Sequence, residues 1–238
     1  MLIQTANLRG HTFLNRLNAN SVVLDCGAHG GEFARQIRQR YGCRVIALEP
    51  NPTLFATLPK LEGVTSLPYA LGDRDGVMDL QIGDNYEASS LVARPAGHHS
   101  TVPVQVRTLA TVIKEAGLNE IDLVKLDIEG AEIPLLASTP DDVIRKVGQF
   151  TIEFHDFNHY VTPEQVRTAL ARMRKLGFFD CRMTRRDHGD VFLVNWKRLG
   201  MSFLTRWWVL GIEKSLFGLK RIIARRFGGG QSAAQLST

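Results

Sequence analysis

Leu123-Val-Lys-Leu-Asp127-Ile-Glu129-Gly130-Ala-Glu132 is the segment whose reading decides the fold. An apolar run with the look of a buried strand ends abruptly in three carboxylates, Asp127, Glu129 and Glu132, with Gly130 at the bend. A strand that is apolar on both faces belongs inside a parallel sheet. Open α/β sheets bind their ligands just past the carboxyl ends of such strands. Three acids gathered there repel one another unless a cation, a proton or a positively charged ligand compensates. The segment therefore predicts a binding site together with a strand.

The flanking sequence repeats this alternation of strand and helix. Ser21 to Asp25 reads as a first buried strand, closed by Gly27-Ala-His-Gly-Gly31, after which Phe33, Ile37 and Tyr41 share one helical face. Arg44 to Glu49 is a second strand, ending at Pro50-Asn51-Pro52. Leu54, Leu58 and Leu61 suggest a short helix that Pro59 stops early. Val64 to Ala70 reads as a third strand, followed by a tight turn at Gly72-Asp-Arg-Asp-Gly76. The stretch 77–107 is less regular, with short alternating strands and the polar run Tyr86-Glu-Ala-Ser-Ser90. A helix over 108–117 leads into the acidic strand, and Gln149 to Phe154 forms another strand that runs into His155. Thr162-Pro163 starts a helix that continues to Gly177, since proline suits a first helical position. Phe178 to Met183 and Val191 to Trp196 close the series without a helix between them. This order predicts an α/β fold, a mostly parallel, doubly wound sheet with an antiparallel last strand.

Composition sets the outer bounds. A chain of 238 residues is long enough for one sizeable α/β domain with a short appendage, and its 44% hydrophobic and 22% charged content is that of a globular protein. Cys26, Cys43 and Cys181 are an odd number without metal-ligand spacing, as expected of reduced, buried thiols in a cytoplasmic protein. The first residues lack the pattern of a secretory signal. Between Arg198 and Phe227 seven cations face Glu213 alone, a surplus of six that exceeds the net charge of +5 for the whole chain. The basicity thus belongs to a tail, and no nucleic-acid surface is expected on the body. The expected organisation is a domain over 1–197, a basic aromatic helical tail over 198–227, and a disordered end over 228–238.

The glycine turn opens with Asp25 where a dinucleotide-binding loop would start with glycine. An acid there discourages a pyrophosphate and welcomes a cationic or amine-bearing ligand. Glu49 ends the second strand, where an acid can hold both hydroxyls of a ribose. The two acids and the glycines together describe a site for S-adenosylmethionine, which carries a ribose, an amine and a sulfonium but no phosphate. The competing reading makes both acids ordinary helix caps.

Five stretches in order resemble the FkbM-type S-adenosylmethionine-dependent methyltransferases: Asp25 to Phe33, Val45 to Pro52, Ala70-Leu-Gly-Asp73, Leu123 to Glu132, and Ile152-Glu-Phe-His155. The resemblance covers about residues 20–195. It implies a Rossmann-like class I methyltransferase that methylates hydroxyl oxygens, often on sugars. By position, Gly27, Ala28 and Gly31 would line the methionine end, Glu49 would bind ribose, and Ala70, Leu71 and Gly72 would flank the adenine. Asp127 would balance the sulfonium, and Ser89 and Ser90 would border an acceptor pocket. His29 and Cys26 depart from the residues commonest in the family at those positions.

Two mechanisms fit these residues. Either His155 or a carboxylate such as Glu129 acts as general base, or the acids and His155 hold a divalent metal that acidifies the hydroxyl. The metal-free form is preferred because no compact ligand spacing appears, so no metal ligand is assigned. Asp127, Glu129 and His155 are the expected catalytic residues. Glu132 has an alternative as a helix cap, and His98 and His99 read as loop residues. The tail interleaves Trp207, Trp208 and Phe217 with cations, and no uncharged stretch in it reaches the ~20 residues of a bilayer span. It reads either as an interfacial helix on an anionic membrane, placing the protein at the inner face of a membrane, or as a homodimer contact through 199–227. The acceptor expected is a small molecule or a glycan, lipid-linked if the membrane reading holds. Two other functions compete: a non-catalytic S-adenosylmethionine-binding adapter, and a nicotinamide-dependent oxidoreductase, which Asp25 disfavours.

Overall fold

A computed structural model describes residues 4–83, 89–91, 100–158, 161–184 and 187–202, together with the isolated positions 204 and 208. In chain order the elements begin with a hairpin, β1 (Thr5–Leu8) and β2 (His11–Leu14), then β3 (Val22–Cys26), α1 (Glu32–Tyr41), β4 (Arg44–Leu48) and α2 (Pro52–Thr57). Four short strands follow, β5 (Val64–Leu67), β6 (Tyr69–Leu71), β7 (Gly76–Ile82) and β8 (Ser89–Ser90), then β9 (Ser100–Arg107) and α3 (Leu109–Glu115). The remainder is β10 (Ile121–Leu126), α4 (Glu132–Ser138), α5 (Asp141–Arg145), β11 (Val147–Ile152), α6 (Pro163–Lys175), β12 (Phe178–Arg182) and β13 (Val191–Asn195).

Seven strands form the main sheet in the order β12-β13-β11-β10-β3-β4-β5. All neighbours from β11 to β5 pair in parallel, whereas β13 runs antiparallel to both β11 and β12. The mostly parallel, Rossmann-like sheet with an antiparallel last strand is thus the architecture present. The acidic segment occupies the middle, with β10 flanked by β3 and β11, which explains why its strand must be apolar on both faces.

Local chemistry sets the ends of the elements. Gly31 and Gly42 bracket α1 in left-handed conformations at φ 76° and 67°. The Asn51 side chain accepts the amide of Thr53 at 3.0 Å at the start of α2, and Thr162 and Gln165 close a reciprocal capping box ahead of Pro163. The stretch read as one strand over Val64 to Ala70 is two strands in different sheets. Pro68 separates them, because it supplies no N–H to a continuing ladder. The irregular stretch after it holds a second sheet of order β6-β9-β7-β8. Two features escaped the sequence reading: the N-terminal hairpin, and the second short helix, α5, that follows α4 on the way from β10 to β11.

The larger core cluster lies on the face that Leu24, Ile46, Val124, Leu126, Phe150 and Ile152 share, beneath α3, α4 and α6. A smaller one on the opposite face joins Val23, Val45 and Leu123 to Phe33, Ile37 and the hairpin's Phe13. Cys26, Cys43 and Cys181 are free and buried. Of the tail, only 198–202 and positions 204 and 208 are described; the rest of 199–227, the end at 228–238 and the pair His98-His99 lie outside the described residues. Phe150 is fully buried and packs on Phe178 with ring centroids 5.6 Å apart. Phe150→Ala is expected to cost about 3–5 kcal/mol, measured as a lowered urea midpoint with the slope unchanged.

Candidate active site

Three adjacent strand ends build the site. Asp25 and Lys125 occupy the same register position on β3 and β10. The Lys125 ammonium is 4% exposed; it donates to the Gly27 carbonyl at 2.7 Å and lies 3.1 Å from Asp25 Oδ1 and 3.4 Å from Asp127 Oδ2. Apart from this ion pair, neither oxygen of the fully buried Asp25 has a hydrogen-bond partner among the described residues. Burial alone would lower the Lys125 pKa, but Asp25 and Asp127 outweigh it and hold the group firmly charged. The glycine turn is pressed against the acidic loop: a Cβ on Gly27, which sits at φ 82°, would stand 1.9 Å from the Asp127 carbonyl oxygen. Only glycine fits there.

One cavity opens over these strand ends. Gly27, Ala28, Glu49, Ala70, Leu71, Asp127 and Glu129 line it, with Arg9, His11, His29, Leu54, Tyr69, Leu80, Ser89 and Lys125 among the other wall residues. Three of the sequence-predicted cofactor residues stand behind this wall. Asp25 faces Lys125 rather than the cavity, which corrects the expectation that it meets a ligand amine directly. Gly31 serves as the start of α1, and the amide of Gly72 donates to the Arg107 carbonyl at 3.1 Å. Glu49 is buried, and its carboxylate accepts the amides of His29 at 2.7 Å and Asn51 at 2.9 Å. Burial raises its pKa to about 7 against these two hydrogen bonds. Ser89 accepts from the Asn51 amide nitrogen at 3.1 Å, and the Ser90 hydroxyl donates to the Glu129 carbonyl at 2.7 Å, which fixes the acidic loop. Glu129 holds a left-handed φ of 55°, a conformation uncommon outside glycine and typical of functional turns.

The acids and histidines converge beyond Asp127. His155 Nε2 lies 3.7 Å from Asp127 Oδ1 and 3.5 Å from Glu129 Oε2, while its Nδ1 is 3.1 Å from Glu132 Oε1. Glu132 is fully buried and also accepts the amides of Ile128 at 3.0 Å and Gly130 at 3.1 Å. It braces the strand-to-helix loop and the histidine, rather than capping the helix that it opens. Although burial favours a neutral ring, Glu132, Glu129 and Asp127 raise the His155 pKa to about 9. These acids favour the protonated ring, which weighs against its reading as a general base. Asp127 shows the opposite balance. Burial pushes its carboxyl up, but Lys125, His11 and His155 together hold it well below the usual carboxylate range.

His11 escaped the sequence reading. Its Nε2 reaches to 3.5 Å from Asp127 Oδ2, carried there by the N-terminal hairpin. Lys125 escaped as well, as a lone cation within an apolar strand. Two sets of side chains that sequence spacing keeps apart come within 4.8 Å in the fold: His11, Asp127 and Glu153, and Asp127, Glu129 and His155. Each set has room for a cation. Lys125 already supplies a fixed ammonium at Asp127. Asp25, Lys125 and Asp127 together retain one net negative charge, which suits a cationic ligand in the cavity.

A parallel sheet with one antiparallel strand, a glycine turn, a strand-end acid for a diol and an anionic second turn define a class I, S-adenosylmethionine-dependent methyltransferase. The profile of the FkbM methyltransferase domain matches residues 25–179, and the chain belongs to that family. Similar proteins include the 2-O-methyltransferase NoeI of Sinorhizobium fredii, 26% identical over 81% of this chain and 88% of its own length. The methyltransferase sdnD of Sordaria araneosa is 25% identical over 58% of this chain and 67% of its own. Among solved structures, the precorrin-6y C5,15-methyltransferase of Geobacter metallireducens aligns with a TM-score of 0.42 at 15% identity, covering 75% of this chain and 80% of that one. The oxidoreductase and non-catalytic readings give way to methyl transfer. The hairpin that bears His11 precedes the matched segment.

Lys125→Met removes the ammonium and leaves Asp25 buried without a countercharge. The expected loss is about 3–5 kcal/mol at neutral pH, read from urea unfolding. The double variant Asp25→Asn/Lys125→Met should recover much of it. A single variant with the wild-type midpoint would show that the pair does not hold the strand ends together.

Proposed function

We propose that the protein transfers the methyl group of S-adenosylmethionine to a hydroxyl oxygen of a saccharide acceptor. The observation that carries this reading is the single cavity that Gly27, Glu49 and Asp127 share at neighbouring strand ends. Glu49 would accept the ribose hydroxyls, Gly27 and Ala28 would meet the amino-acid end, and Tyr69, Ala70, Leu71 and Leu80 would enclose the base. When bound, the cofactor supplies an activated methyl on a sulfonium, so the chain has to align the acceptor and handle its proton. Asp127, held ionised by Lys125 and His11, balances the positive charge beside the reacting carbon.

The name of NoeI, a 2-O-methyltransferase similar over most of both chains, supports oxygen as the acceptor atom. Phe157 supports a sugar. Its ring is 49% exposed and stands 5.4 Å from the His155 ring, an apolar platform next to the acids on which a pyranose face can stack.

Purified protein, labelled S-adenosylmethionine and the glycan fraction of the producing cells should yield S-adenosylhomocysteine and a base-stable methyl ether located by mass spectrometry. Asp127→Asn should lower the rate by about 10²-fold or more while still binding S-adenosylhomocysteine. Undiminished transfer by that folded variant would remove Asp127 from the chemistry. Dialysis against EDTA should leave the wild-type rate unchanged, and a loss restored by magnesium would instead assign a metal to the acid cluster.

The basic aromatic segment 199–227 supports a peripheral position on the inner face of an anionic membrane, where a lipid-linked glycan would be presented. Among the described residues no helix is long and apolar enough to cross a membrane. The intact chain should float with anionic liposomes and a chain ending at residue 198 should not; equal flotation of both would leave dimerisation as the role of the segment.

A further inference from the structure

Glu153 follows the last residue of β11, and its amide donates to the Leu126 carbonyl at 3.0 Å. That bond aligns the ends of β10 and β11, so Glu153 stands beside Asp127. One oxygen of each carboxylate and one nitrogen of His11 fall within 4.8 Å of one another. Glu153 is half-buried and lies outside the lining of the cofactor cavity, on the far side of Asp127. An oxygen that displaces a sulfonium must approach opposite the leaving sulfur, and with the cofactor in the cavity the acceptor hydroxyl would stand on this side.

The other groups there are committed elsewhere. Asp127 faces Lys125 and His11, and Glu132 holds two loop amides and His155. Glu129 faces the His155 ring. Asp190, ahead of β13, accepts the Thr12 amide at 3.1 Å and its hydroxyl at 2.6 Å. Among the described residues the Glu153 carboxylate has no hydrogen-bond partner.

We propose that Glu153 is the general base of the transfer, an assignment that rests on O-methylation as the reaction. The hydroxyl oxygen forms the new C–O bond, the C–S bond breaks with its electron pair left on sulfur, and the hydroxyl proton passes to a Glu153 oxygen. The surroundings suit that task. Burial raises the pKa of this carboxyl most, Asp127 and Glu129 add to it, His155 and Lys125 oppose them, and the balance is about 7. Such a group is ionised at the working pH yet basic enough to take a proton.

The test compares Glu153→Gln with the wild type, using the glycan fraction as acceptor and calorimetry with S-adenosylhomocysteine as the check on folding. The variant should bind S-adenosylhomocysteine within twofold of wild type and transfer methyl about 10²–10⁴-fold more slowly. The wild-type rate should rise with pH to a plateau with a midpoint near 7, a limb that Glu153→Gln loses. Glu153→Asp should keep that limb at a reduced rate, and it replaces the amide variant if the latter does not fold. His155→Asn should also keep it. In enzyme labelled with δ-¹³C glutamate, the resonance absent from Glu153→Gln should titrate near 7.

Wild-type rates in Glu153→Gln, or a resonance titrating at about 4 as in an ordinary glutamate, would overturn the assignment. If the wild type transfers methyl to no hydroxyl in the fraction, the acceptor reading fails by itself. The titration still decides in that case: a midpoint near 7 supports the base, and one at about 4 rejects it.

Discussion

The site depends on one buried ammonium. Lys125 lies at the carboxyl end of the central strand and is buried, where a cation without partners would be expelled or neutralised. It stays charged because β3 and β10 bring Asp25 into register with it, and because the Gly27 carbonyl and Asp127 complete its surroundings. These contacts tie the first turn to the second. The glycine turn cannot move from Asp127 without uncovering the ammonium, and Asp127 cannot turn away without leaving it undercompensated. The absence of a Cβ on Gly27 is part of the same constraint, since that atom would overlap the Asp127 carbonyl. The turn that would meet the cofactor and the acid that would meet its charge are thereby one rigid unit.

From this anchor the carboxylates acquire different states despite their proximity. Asp127, beside a fixed cation, remains ionised throughout the physiological range. Glu132, fully buried, is stabilised by two loop amides and by His155, and in return it keeps that ring charged. Glu153 has neither an ammonium at contact nor amides, so burial, with Asp127 beside it, raises its pKa to about 7. Mutual repulsion is relieved by dividing the acids among a cation partner, a hydrogen-bonded brace and a titrating group.

The legible parts of the fold were those written locally. Apolar runs ending in glycine or acid marked β3, β4 and β10, and their spacing placed Gly27, Glu49 and Asp127 on one edge of the sheet, where the cavity lies. The missed parts are set by contacts distant in sequence. His11 reaches Asp127 only because the hairpin packs beside β11 and β13, which no periodicity in the first twenty residues announces. Lys125 looked like an interruption of an apolar strand, and its meaning appears only when Asp25 stands opposite. Pro68 was visible, yet the run around it remained apolar, and hydropathy alone does not say that a strand changes sheets there. His155 was found, but the acids around it, Asp127 and Glu129 from the loop after β10 and Glu132 from α4, meet it only in the folded chain.

Sheet order also explains why the two sides of the reaction need not compete for space. Neighbouring strands lie roughly 4.8 Å apart, and β4, β3, β10 and β11 stand consecutively with all their carboxyl ends on one edge. Glu49 ends the first of these, the glycine turn the second, Asp127 the third and Glu153 the fourth. Moving across the sheet therefore passes from the acid suited to a ribose, through the turn and the anion suited to a sulfonium, to the carboxylate suited to a hydroxyl proton. An in-line displacement needs leaving atom, carbon and attacking atom along a single direction, and on the proposed assignment that direction would run along the order of these four strands. The antiparallel β13 then follows β11 and carries Asp190 at its start, where the hairpin's Thr12 binds it and seats His11 at the end of the row. The one strand that breaks the parallel pattern thus fixes the hairpin that carries His11 to Asp127.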